Sequence, residues 1–276
     1  FVNNLNSNAV YFQNKNINLN LIISKSGNTL ETIANANTLI KSKESNIIIT
    51  ENKDSYLTNL ASKLKAEIFE HKNYVGGRYS VLSEVGMLPA LLMNLNIKLF
   101  PKNLLGHFKK NIVKKNVSKI VQMYASSKIS SLVLFNYCPE LNDFAFWYQQ
   151  LVAESLGKKN KGLMPIVSVA PKDHHSLLQM YLDGPRDKFF YVISSKKEKS
   201  SNIKKVMYQK NFNFLENKQL NKIILSQKNA FIKVLSQKNI PFRELEVSNF
   251  DEETIGELFF VSILETVLTG KLMKIN

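Results

Sequence analysis

Seven short apolar runs, each five or six residues long, constrain this chain more than anything else in it. They are residues 20–24 (NLIIS), 46–50 (NIIIT), 66–70 (AEIFE), 131–136 (SLVLFN), 165–170 (PIVSVA), 189–194 (FFYVIS) and 242–247 (FRELEV). Most are apolar throughout and do not alternate with polar residues, the pattern of strands buried on both faces. Between them apolar residues recur at helical spacing: Leu30, Ile33, Ala34 and Ile40 on one face, then Leu57, Leu60, Ala61 and Leu64. Longer helical patterns cover residues 81–94, 141–156, 218–238 and 251–268. Strand and helix in alternation predict an α/β fold, with doubly wound, mostly parallel sheets flanked by helices. The alternation runs twice, and Pro101 and Gly106 interrupt a helical region at 95–106. We therefore expect two similar domains, over residues 1–100 and 101–276, the first lacking its N-terminal part.

Composition narrows the class. Hydrophobic residues make up 44% of the 276 and aromatics 10%, ordinary values for a globular protein with its own core. Cys138 is the single cysteine, which excludes a disulfide framework or a multi-cysteine zinc site and suits a reducing cytoplasm. No apolar run reaches the ~20 residues a membrane-crossing helix needs, and the first residues show no basic-then-apolar leader pattern. The chain begins at Phe1, not Met, and its last pattern is still running near Asn276, so it reads as part of a longer protein. The formal net charge of +15 raises nucleic acid as a partner. Against that, the basic residues are spread along the chain. The densest runs, residues 107–119 and 194–205, are not interleaved with aromatics as a single-strand binder would be. We expect neither nucleic acid nor membrane as a partner, and a positive field that favours an anionic substrate.

The first apolar run leads into "SKSGNT", residues 24–29, where Gly27 lets the backbone curl before a helix opens. Ser24, Ser26 and Thr29 supply neutral donors there, and the helix start adds unpaired N–H groups and a favourable dipole for an anion. The turn lacks both the lysine spacing of a Walker loop and the three glycines of a dinucleotide fold, so a simple phosphate monoester suits it best. A plainer reading has Asn28 or Thr29 merely capping a helix whose first turn carries Glu31. On these residues alone the two readings stand equal.

Four further segments join this one. "ISKSGNTLET" resembles the sugar-phosphate loop of SIS domains, in the form carried by the phosphoglucose isomerase family. "VGGRYSVLSEVGMLP" (75–89) is similar to that family's GGR signature. "WYQQLVAESLGK" (147–158) and "DHHSLLQMYLDGP" (173–185) are similar to two more blocks, and residues 250–276 to the lead into its last signature. The resemblance implies two SIS-type units and interconversion of glucose 6-phosphate and fructose 6-phosphate. It also implies no cofactor, no metal, a cytoplasmic setting and a homodimer with shared sites. It puts Ser24, Lys25, Ser26, Thr29, Glu31 and Gly77 at the substrate. The family's glycine-serine loop would precede Phe1, and its terminal catalytic lysine would follow Asn276; Lys271 and Lys274 are not at that position.

Such an isomerisation needs a base that moves a proton between C1 and C2, a stabiliser for the enediolate, and a group that opens the ring. No His and carboxylate cluster has metal-ligand spacing, which favours proton transfer through an enediol over a metal-assisted hydride shift. Glu154 has apolar sequence neighbours, expected to desolvate it and raise its pKa, although a solvated glutamate is the commoner case. The resemblance makes it the base. Arg78, after Gly76 and Gly77, stays protonated and suits a developing oxyanion; its plainer reading is a surface ion pair. His174 and His175 are adjacent, so on a helix they point about 100° apart and cannot share one site. The resemblance makes His175 the ring-opening acid/base and gives His174 the place of a glutamine. His71 and His107 match no block and read as structural or surface residues. The alternative is a SIS module that binds sugar phosphate without catalysis; Glu154, Arg78 and His175 together argue against it.

Overall fold

The structure is a computed structural model that describes residues 19–40, 44–102, 104–109, 111–196, 200–208 and 210–275. The chain divides into two compact units, Phe1–Leu99 and Phe100–Asn276. In the first, strands β1 (Leu19–Ile23), β2 (Ser45–Thr50) and β3 (Glu67–Glu70) form a parallel sheet in sequence order. Helices α1 (Leu30–Leu39) and α2 (Tyr56–Leu64) make the crossovers. Ile22 and Ile48 pack with Ala36 of α1 and with Leu57 and Ala61 of α2. Each fully buried Ile or Leu in such a cluster contributes about 1.5–3 kcal/mol. A 3₁₀ helix (Gly77–Leu82) and α3 (Glu84–Leu92) follow.

The second unit holds α4 (Asn111–Ala125), β4 (Ser131–Asn136), α5 (Asn142–Leu156), β5 (Met164–Val169), α6 (Lys172–Ser176), α7 (Leu178–Asp183), β6 (Lys188–Ser195), α8 (Leu220–Gln237), β7 (Phe242–Val247) and α9 (Glu252–Leu272). Its parallel sheet runs β5-β4-β6-β7, so the chain steps out from β4 to β5 and then crosses back over β4 to β6. That reversal makes the sheet doubly wound, with helices on both faces. On one face Val133, Phe135, Phe190 and Val192 pack against Phe231 and Leu235 of α8. On the other, Tyr148 of α5 stacks on Tyr191 at 5.7 Å between ring centroids. Strands covered this way read as unbroken apolar runs, which is why the sequence marked them.

Three local expectations differ from the structure. The helical pattern at 81–94 begins as the 3₁₀ helix, and α3 starts only at Glu84, because Ser83 adopts extended backbone and its hydroxyl accepts from the Val85 N–H at 3.4 Å. Leu30 is not on a buried face: it opens α1 just after the turn, past the edge of the core, and is 68% exposed. Ile40 lies beyond the helix end and packs on the core from there. In α4, Lys114, Lys115 and Lys119 take the exposed side opposite buried Val113 and Val117, as solvated surface charge.

Candidate active site

The turn after β1 is built by backbone before any ligand is considered. Ser24 continues the ladder through its N–H to the Ile49 carbonyl at 3.1 Å, and Gly27 closes the turn onto the Ser24 carbonyl at 3.2 Å. Gly27 has φ +70°, a left-handed conformation, and a Cβ there would lie 2.2 Å from Ser55 Oγ and 2.9 Å from Thr50 Oγ1. Asn28 turns its side-chain oxygen to the first N–H of α2, at Tyr56, 2.8 Å away. Thr29 occupies the N-cap position of α1 without capping it. Its hydroxyl instead pairs with Ser24 Oγ at 2.8 Å and Ser26 Oγ at 3.5 Å. Three hydroxyls thus gather where the first N–H groups of α1 lie outside the helix's own hydrogen-bond ladder. Glu31 sits in that first turn and is exposed.

Lys25 reaches sideways. Its ammonium donates to the carbonyls of Asn73 (3.0 Å) and Val75 (2.9 Å) and lies 3.6 Å from the Glu51 carboxylate. This contact joins the turn to the segment carrying Arg78, whose guanidinium lies over the Tyr79 ring at 4.8 Å. Gly77 opens the 3₁₀ helix, and a Cβ there would meet nothing within 4 Å. His71 is buried, with Nδ1 3.1 Å from the Lys72 carbonyl, and takes a structural place. The side chain of His107 lies outside the described residues.

Glu154 and His175 belong to the second unit. Glu154 lies on the exposed side of α5, because Leu151, Val152, Ser155 and Leu156 take the buried side. The desolvation expected from its sequence neighbours is therefore not supplied by those neighbours. Gln150, one turn earlier, donates to Glu154 Oε1 at 2.8 Å. On α6 the two histidines diverge. His174 Nε2 is 2.6 Å from the Tyr137 hydroxyl, with the imidazole against Phe135 and Phe231, whereas His175 is exposed. Asp173 is buried, which pushes its carboxyl up. The Val169 N–H (2.7 Å), the Ser176 hydroxyl (2.8 Å) and Lys172 outweigh that and hold it below the usual carboxylate range. Sequence reasoning weighed Asn28 only as a cap of the helix after the turn, whereas its oxygen serves the start of α2, and it missed Gln150 and Tyr137. Only Gln150, four residues before Glu154 on a helix, carried a local signal.

Each unit holds a cavity among its described residues. One of about 390 Å³ lies at the carboxyl ends of β2 and β3, bounded by Glu51, Lys53, Glu70, His71, Lys72 and Tyr74. The other, of about 290 Å³, lies beside Arg243 in the second unit. Neither is lined by a residue the sequence assigned to substrate or catalysis. Among the described residues, no group of three or more His, Cys, Asp or Glu is placed to hold a metal ion.

Parallel α/β units of this kind, one opening on a hydroxyl-lined turn at a helix N-terminus, are SIS-type units. Relatives narrow that class. Residues 1–170 match the family described as phosphoglucose isomerase. A probable glucose-6-phosphate isomerase of Methanococcus maripaludis is 33% identical over 269 residues, covering 92% of this chain and 60% of its own. A glucose-6-phosphate isomerase of Methanocaldococcus jannaschii is 30% identical, covering 98% of this chain and 74% of its own. Among solved structures, a hypothetical protein of Thermus thermophilus superposes with a TM-score of 0.81 at 21% identity, covering 91% of this chain and 65% of its own, and shares the fold. The chain belongs to the phosphoglucose isomerase family. It spans 60% of the length of the Methanococcus maripaludis relative.

Proposed function

We propose that the protein containing this chain interconverts glucose 6-phosphate and fructose 6-phosphate by proton transfer through an enediol. The observation that carries this reading is the Thr29 hydroxyl, turned from its cap position onto Ser24 beside the open start of α1. A plain helix cap would have spent that oxygen on an N–H. In the proposed reaction Ser24, Ser26 and Thr29 hold the phosphate, with Lys25, Glu31 and Gly77 around it. His175 moves the ring proton on opening. Glu154 takes the proton from C2 of the open aldose and returns it to C1, and Arg78 stabilises the enediolate oxygen between the two steps. No metal or cofactor takes part in these steps. The working form is a homodimer in the cytoplasm, and among the described residues no helix is long and apolar enough to cross a membrane.

The test is Glu154→Gln in the full-length protein, which keeps the side chain's shape and removes the proton acceptor. Loss of a general base lowers kcat by roughly 10²-fold or more with KM little changed. Exchange of the C2 proton with solvent, followed by NMR, disappears in parallel. Exchange retained at the wild-type rate moves the base to another residue.

A further inference from the structure

An ammonium carries three protons, and at Lys25 two of them are donated within the first unit, to the Asn73 and Val75 carbonyls, while the Glu51 carboxylate lies 3.6 Å away as an ion-pair partner. Both hydrogen bonds and the ion pair turn the ammonium toward residues 51 and 73–75. The backbone of Lys25 is held as firmly, since its carbonyl accepts from the Glu51 N–H at 3.0 Å and from Thr50 Oγ1 at 3.3 Å. The residue therefore bridges the turn after β1 to a segment about fifty positions away. That segment needs an anchor. Asn73 and Tyr74 are exposed, and Gly76 and Gly77 follow directly, so its backbone has little of its own to restrain it. The Val75 N–H closes on the Lys72 carbonyl at 3.0 Å, and the Tyr79 N–H on the Gly76 carbonyl at 2.9 Å starts the 3₁₀ helix. The Val75 carbonyl that Lys25 grips is thus the tie from the turn after β1 to the 3₁₀ helix that carries Arg78, in which the Gly76 and Gly77 carbonyls accept from the Tyr79 N–H and the Ser80 hydroxyl.

We infer that Lys25 is a positioning residue: its ammonium straps residues 73–75 to the turn after β1, coupling occupation of that turn by phosphate to the placement of Arg78. The inference rests on the proposed function for the roles of the turn and of Arg78, but the strap itself is independent of turnover.

The experiment uses Lys25→Met, which keeps the stem and removes the donors, with Lys25→Gln as a milder change and Lys25→Arg as the rescue, all in the full-length protein. Amide hydrogen exchange across residues 72–79 is read first. Removing the strap raises exchange there about tenfold or more in ligand-free protein, and inorganic phosphate protects the segment in wild type but not in Lys25→Met. Glucitol 6-phosphate, which has no carbonyl and cannot isomerise, binds Lys25→Met within about threefold of wild type, while kcat falls about ten- to a hundredfold. Lys25→Arg restores most of the protection. Combined with Arg78→Lys, Lys25→Met adds little further loss, because the two act through one placement. Unchanged exchange in both Lys25→Met and Lys25→Gln overturns the strap. So does a tenfold loss of glucitol 6-phosphate affinity with kcat retained, the mark of a direct phosphate ligand. If wild type turned over neither sugar, the proposed function would fail while the exchange measurements still decided the strap.

Discussion

His174 and His175 show how adjacent residues of one type come to have different surroundings. The roughly 100° between them was legible from helix geometry, and it holds on the five residues of α6. What received the inward ring was not legible, because Tyr137 lies 37 positions upstream and reaches it only through the packing of strand on helix. Burial, and then the neighbouring His175, holds His174 below its ordinary pKa, so the fold prefers the neutral ring. The unfolded chain takes up the proton first as pH falls, and the fold loses stability on passing below about pH 6.5. Asp173 has a depressed pKa too, but its contribution is present above about pH 4 and is lost only below it, so the two windows separate. Between pH 7 and pH 5 the melting temperature should therefore fall more steeply for wild type than for His174→Gln. Parallel curves in a calorimeter would show that His174 does not titrate on unfolding.

At the scale of elements, the seven strands of the two sheets begin and end within one residue of the apolar runs; β4 and β6 are buried on both faces, which leaves little room for error, whereas β3 and β7 are partly exposed. Helix ends were harder to read: α9 continues past the expected residue 268 to Leu272, and the start of α3 depended on one serine. What sequence could not give at all is the polar tie inside the second unit. Arg243 of β7 makes a forked pair with Glu265 of α9, at 2.8 and 3.3 Å, and donates to the Tyr191 hydroxyl at 2.8 Å; Asn116 of α4 donates to the same carboxylate at 3.2 Å. Nothing local marks four residues on four elements as partners. Glu265 is 3% exposed, so Arg243→Met leaves a buried carboxylate without its cation. Unfolding in denaturant should show a loss of about 3–5 kcal/mol, whereas Arg243→Met with Glu265→Met recovers much of it. A single substitution costing under about 1 kcal/mol would mean that water already reaches the pair.

On the scale of the whole molecule, family membership was legible because five segments occur in order, and no single one would have sufficed. The surroundings of Glu154 were not legible, since sequence neighbours on a helix point to different sides. If the protein works as the proposed homodimer, with His175 serving the partner's site, mixing inactive Glu154→Gln and His175→Ala subunits tests the arrangement. A mixed dimer has one site lacking both groups and one lacking neither. Random pairing makes about half the dimers mixed, so co-refolding should recover up to about a quarter of wild-type activity. Heterodimers visible by native mass spectrometry yet inactive would place both residues in one subunit's site.

The fit of Gly27 against Ser55 also bears on how the turn can change through descent. A side chain at position 27 meets the Ser55 hydroxyl and Thr50 at once, and Ser55 is itself engaged as the N-cap of α2, accepting from the Thr58 N–H at 3.3 Å. Giving up that cap costs about 1 kcal/mol. No single replacement at 27 is therefore a small step. Relatives that carry a larger residue there should differ at position 55 as well, the two sites drifting as a pair, and random mutagenesis confined to the turn should return position 27 almost untouched.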